Sequence, residues 1–295
     1  MDPSLVDALP TPPALNAAED TDLRDRRTFL SRLLRHRNAV IGLSILVAVC
    51  VVCLLGPILW AKNPTTIDFA AFGKGPGIHH LMGADDLGRD EFTRILYGGR
   101  ISILVGFLSM VIGIGIGGVI GAVSGWLGGS LDFLLMRVVD VALSIPSLFL
   151  LLLLSVVFPP GVLSIALIIG LSNWMRPARL MRSQVLTIKP REYVEAAHAI
   201  GSPPWRILLR TITPNAVAPL VVNGTILMGQ AIVTEAVMSF LGFGVQPPTP
   251  SWGNMLTNAQ TFIVSMPWLA IFPGFMVFIT VLGFNLVGDG LRDAM

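Results

Sequence analysis

KPREYVEAAHAIGSPPWRILLRTITP, residues 189–214, is a charged island between two long apolar stretches. Pro190 suits a first helical turn, where its missing N–H has no partner to lose, and helix formers run on to Ile200 before Gly201 can end them. Ser202 reads as an N-cap with Pro203 just inside a second helix, Trp205 to Ile212. Two short helices therefore meet at a Gly-Ser-Pro corner. Tyr193, Ala197 and Ile200 share one face of the first; Trp205, Leu208, Leu209 and Ile212 share one face of the second. Arg206 and Arg210 share the opposite stripe. Each helix, about 16 Å long, is too short and too charged to cross a bilayer core of about 30 Å, so it must lie across something. A basic amphipathic segment resting on lipid headgroups is one reading. A lever docked into another protein is the other.

The rest of the chain supplies the membrane. Of 295 residues, 53% are hydrophobic and 13% charged, against roughly 25% charged in soluble domains. The net charge of +2 offers no reason to expect nucleic acid as a partner. Residues 1–38 open with Pro, Ala, Asp and Glu and then turn basic, which reads as a largely disordered tail ending in a membrane-facing segment. Arg26 and Arg27 resemble a twin-arginine signal, but the apolar run behind them is too long and lacks a small-x-small cleavage site, so an uncleaved anchor is expected. Ala39 to Trp60 is charge-free over 22 residues, enough for one crossing.

Residues 61–100 read as an extracytoplasmic loop, and 101–295 as a core of five further spans. Ile101 to Leu131 carries Gly113, Gly117, Gly121 and Gly125 at four-residue spacing, which strips one helix face for close packing. That face suits another helix of the same chain or a seam with a partner. Val141 to Met175, charge-free over 35 residues but interrupted by Pro159-Pro160-Gly161, folds into a hairpin of two spans. Pro214 to Leu241 and Trp268 to Gly288 complete an all-α membrane protein of six transmembrane helices. Four crossings separate the basic tail from the seven Lys and Arg of residues 176–210, so both face the cytoplasm, and six place the C-terminus there too.

Four motifs in order carry a resemblance. Glu195-Ala196-Ala197, then Gly201, then Pro214 resemble the EAA loop of ABC-importer permeases, although Thr213 stands where that pattern has Leu. GADDLGRDEFTRILYGGRISI from Gly83, MRVVDVALSIPSLFLLLL from Met136, and TEAVMSFLGFG with SWGNML from Thr234 extend it. Together they are similar to the second, C-type permease of the dipeptide, oligopeptide and nickel importers. The resemblance implies a bacterial inner-membrane subunit that pairs with a homologous permease and forms half of a pathway for peptides. Two ATPase subunits would hold ATP and Mg, leaving this chain without a cofactor, and an extracytoplasmic binding protein would deliver substrate. It also implies that Glu195, Ala196, Ala197 and Gly201, with Tyr193, Trp205, Arg206 and Pro214, couple the ATPase to the helices. Nickel or another small solute stays open as cargo.

Other residues invite other chemistry. Glu235, an acid inside a late span, is a candidate contact on the substrate path or one half of a local pair with solvent access. Cys50 and Cys53 lie in an apolar run, where packing suits them better than redox or metal work. His79 and His80 precede Asp85 and Asp86 without a recognisable ligand spacing, so no metal site is read there. Met136, Arg137 and Asp140 suggest pairing at the inner end of a span. No G-x-x-x-x-G-K-[ST] phosphate loop, H-E-x-x-H or G-x-S-x-G occurs, so neither ATP hydrolysis nor an intramembrane hydrolase has its equipment. An ion-gradient transporter would call for inverted repeats and broken helices bearing midplane charges.

Overall fold

The computed structural model describes residues 36–60 and 62–294, so the basic tail with its twin arginines lies outside the described residues except for its last three positions. The chain is helical: α1 (Arg37–Trp60), α2 (Glu91–Leu127), α3 (Gly129–Ser144), α4 (Ser147–Val157), α5 (Val162–Asn173) and α6 (Met175–Ile188) form its first half. α7 (Glu192–Ala199) and α8 (Pro204–Ile207) follow, then α9 (Thr213–Phe240), α10 (Trp252–Phe262) and α11 (Trp268–Ala294). Among the described residues there is no strand, only an isolated bridge between Ala84 and Asp90.

Four rods are long and apolar enough to cross a bilayer: α1, α2, Pro204–Phe240 and α11. α3 and α4, bent by 93° at their junction, can make a fifth. α5 alone spans only about 18 Å and reaches bilayer length with α6 behind it. Six spans are compatible with this arrangement. The large apolar side chains that remain exposed, such as Leu54, Leu59 and Val156, suit a hydrocarbon solvent.

Three expectations need correcting. The loop set at residues 61–100 ends at Asp90, because Asp90 caps α2 by accepting the Thr93 N–H at 3.0 Å and the Thr93 hydroxyl at 2.5 Å. His80 lies 2.9 Å from the same carboxylate. Burial pushes the Asp90 carboxyl up, but hydrogen bonds from Thr93 and His80 and the charge of Lys62 hold it below its ordinary value. The charges that disguised this helix start are folded inward: Asp85, Arg89, Glu91 and Arg94 are all buried, and Arg89 Nε donates to Asp85 at 2.6 Å.

The hairpin of residues 141–175 turns where expected, but its first arm is not straight. Pro146 cannot continue a helix and forces Ile145 into extended backbone, so α3 stops and α4 leaves at a new angle. Its second arm does not end at Met175 either, since α6 carries it to Ile188.

The second short helix of residues 189–214 is not separate. α8 passes through a widened π turn, Leu208–Ile212, directly into α9. Pro214 supplies no N–H and its ring would crowd the carbonyl one turn back, a conflict that a wider turn relieves.

α2 is the central post and packs against α1, α5, α6 and α9. Val105, Ile165, Ile169, Ala231 and Met238 form one core; Cys53, Ile232, Trp252 and Phe284 form another, and Trp252 Nε1 donates to the Ile95 carbonyl at 3.1 Å. The start of α1 meets the end of α11, where Gly290 lies on Ala39. The α7–α8 corner sits at that same end, tied by Lys189 Nζ donating to the Trp126 carbonyl at 2.7 Å.

Candidate coupling site

α7 begins at Glu192, two residues beyond Pro190, and is anchored by Val194. Val194, Ile207 and Ile212 are fully buried among Met181, Val185, Ile188 and Leu220. The stripe read from spacing is largely the open side instead: Tyr193 is 47% exposed, Trp205 58%, Leu209 58% and Ile200 82%. Periodicity shows which residues share a side but not which side meets the bundle. Glu195 and Ala196 are exposed beside them, Ala197 is half-buried, and the Arg206 guanidinium lies 5.7 Å from the centre of the Trp205 ring.

The corner turns at Gly201, whose φ of +77° is the left-handed conformation that side chains with a Cβ avoid. The cap of α8 falls on Pro203 and its first residue is Pro204, one place later than Ser202 and Pro203 suggest. Behind the corner, His198 stacks on Trp126 with ring centres 5.8 Å apart and planes 3° apart, and Lys189 lies 5.4 Å from the same ring. Arg182 makes a bidentate pair with Asp132 at 2.5 and 2.6 Å, and Ser124 also bonds that carboxylate. Lys189 and His198 thus tie the corner to the end of α2, while Asp132 ties the start of α3 to α2 and α6. Asp140, expected to pair locally with Arg137, is held chiefly by Arg179 at 2.5 Å, with Arg137 at 3.9 Å.

The glycine stripe lies against α5 and α6 of the same chain. A Cβ added at Gly117 would come within 2.9 Å of the Ala178 nitrogen, and one at Gly121 within 2.9 Å of the Arg182 nitrogen. At Gly125 the neighbour is Val185 at 2.9 Å, and at Gly113 the Gly170 carbonyl at 3.5 Å.

Glu235 differs most from its reading. It is 0% exposed, and no cation pairs with it among the described residues. Instead Ser102 donates to Oε2 at 2.9 Å, while Ser239 and Ser251 donate to Oε1 at 2.7 and 2.8 Å. Ser251 also caps α10 by accepting the Asn254 N–H, and Ser102 accepts the Trp252 N–H. The carboxylate thus pins the start of α10 between α2 and α9. Glu235→Ala, which leaves three buried hydroxyls without their acceptor and opens a void, should cost about 3 kcal/mol, and Ser102→Ala about 1 kcal/mol. Thermal melts in detergent should show that order; equal melting points would refute the pinning role.

A mobile neighbour seated on Tyr193, Glu195 and Trp205 would push a corner whose buried face is continuous with α2, α6 and α9.

A family model described as binding-protein-dependent transport system inner membrane component matches residues 117–295, and one described as the N-terminal TM domain of oligopeptide transport permease C matches residues 26–76. The chain is 38% identical over 289 residues to the oligopeptide transport system permease protein OppC of Bacillus subtilis, covering 96% of this chain and 95% of that one. Over 269 residues it is 36% identical to the dipeptide transport system permease protein DppC of Alkalihalophilus pseudofirmus, covering 91% and 88%. It is 37% identical over 270 residues to the glutathione transport system permease protein GsiD of Pectobacterium atrosepticum, covering 91% and 90%. Among solved structures, a chain of the inward-facing MetNI methionine ABC transporter shares the fold, with a TM-score of 0.54 at 19% identity, covering 68% of this chain and 96% of that one.

Proposed function

This chain belongs to the family of binding-protein-dependent transport system inner membrane components and is a multi-pass permease subunit of an ABC importer, and from that premise we propose that it carries peptides. It forms half of the pathway with a homologous permease. ATP and Mg are held by two ATPase subunits, and an extracytoplasmic binding protein presents the substrate. The names of the relatives support a peptide cargo.

Residues 189–214 receive the ATPase. The observation that carries this is the division of the corner into two faces, with Val194, Ile207 and Ile212 sunk in the bundle and Tyr193, Trp205, Glu195 and Ala196 open. Glu195 offers its charge to a partner's Arg, Ala196 and Ala197 allow close approach, Arg206 braces Trp205, and Gly201 holds the bend. Pro214 marks the point where the push enters α9. The basic segment 176–210 supports a cytoplasmic position for this end and for both termini. Nucleotide shifts the corner between two docked arrangements, and the pathway opens inward or outward accordingly.

Purification from native membranes in mild detergent tests the proposal. An ATPase and a second permease should accompany the chain, and only the complete assembly should move peptide on addition of ATP. Uptake by the purified chain alone would refute it.

A further inference from the structure

A cavity of about 570 Å³ opens where α3 breaks into α4, a volume within the roughly 300–1,000 Å³ of small-solute sites. Ser147, Asn173, Arg176, Gln230, Thr234 and Asn285 reach it from α4, α5, α6, α9 and α11. Gln230 lies inside the α9 span, about 15 Å short of its end at Phe240, while Asn285 sits about one turn before Gly288 on α11; both are exposed on the surface of the chain. An exposed amide at the depth of Gln230 would cost several kcal/mol against hydrocarbon, so lipid is not its neighbour. The interrupted backbone at Ile145 and Pro146 also borders this space, and non-helical backbone within a membrane is tolerated where it lines water.

The charges are as informative. Arg179 and Arg182 on α6 are paired with Asp140 and Asp132. Arg176, one turn earlier, has no ion-pair partner among the described residues, and no acidic side chain lines the cavity. An unpaired guanidinium in a polar, partly enclosed space favours a carboxylate, which it can grip with two parallel hydrogen bonds.

We infer that this cavity is the chain's share of the solute path, with Arg176 receiving the solute's free carboxylate and Gln230 and Asn285 serving its neutral polar groups. This rests on the importer reading above and adds the lining and the chemical group recognised. Glu235, sealed among serines, takes no part in it.

The test uses the assembled transporter with Cys50 and Cys53 replaced by alanine. Thr234→Cys and Asn285→Cys should react with a negatively charged methanethiosulfonate, added to both sides, roughly tenfold or more faster than Val47→Cys on the exposed apolar face of α1. In uptake assays with radiolabelled trialanine and its C-terminal amide, Arg176→Gln should lower the acid-to-amide ratio about tenfold, the worth of a hydrogen bond to a charged group, and Arg176→Lys should restore most of it. Equal labelling at all three positions, or an unchanged ratio, overturns the inference. Labelled cavity cysteines in a transporter that moves neither peptide overturn the peptide reading and the carboxylate role while upholding a water-filled cavity.

Discussion

Gly121→Leu should eliminate most of the folded chain from membranes, while Gly115→Leu, six residues earlier on the same helix, should leave it near normal. A Cβ at Gly121 would press on the Ala178 carbonyl, lie 2.8 Å from the Met181 Cβ and reach the backbone of Arg182, whereas one at Gly115 would meet nothing within 4 Å. Backbone cannot rotate aside as a long side chain can, so α2 and α6 would have to separate along their shared seam. Overpacking of this kind costs about 3 kcal/mol or more when the obstacle is rigid. The seam also sets the end of α6 from which the 189–214 corner hangs, so a surviving fraction should import poorly. Detergent yield and melting temperature provide the check. Similar yields for the two variants would show that the helices are not in close contact there.

Glu195→Lys should cut ATP-driven import tenfold or more while the protein stays folded at its normal level. Glu195 is exposed and has no ion-pair partner among the described residues, so reversing its charge disturbs nothing within the chain and acts on whatever docks there. Gly201→Asp should act by a different route. Space is open around Gly201, but its φ of +77° strains a residue with a Cβ by about 1 kcal/mol, enough to swing α7 without unfolding the bundle. Both variants should lose co-purifying ATPase as well as uptake. Full transport by both in membrane vesicles would remove the coupling role from this corner, whatever the chain carries.

The spans were readable because hydrocarbon imposes a constraint that composition must show. Backbone groups have to bond within the helix and side chains have to be apolar, so Ala39 to Trp60 falls within two residues of α1. The rule fails wherever charges satisfy one another in the fold. α2 starts ten residues before its charge-free stretch because Asp85, Arg89 and Arg94 pair internally and Asp90 caps the helix. The corner shows the same division: Gly201 and its flanking helices could be read locally, whereas the choice of Val194 over Tyr193 as the anchor belongs to the bundle. Trp126 and His198, 72 positions apart, carried no signal of their stacking. Nor did Glu235 announce three hydroxyls from residues 102, 239 and 251.

By itself the sequence determined that this chain lives in a bilayer as helices, carries a polar bent segment at one end, and bears four motifs of an importer permease. Only the tertiary structure decided that the glycine face closes on α6, that Glu235 is a sealed pin, and that Arg176 is left unpaired beside a cavity. The physical reason is range. Apolarity, proline and glycine act on their own few residues and leave periodic traces, whereas the partner of a buried charge or a bare helix face is set by which distant segments the bundle brings within a few ångströms.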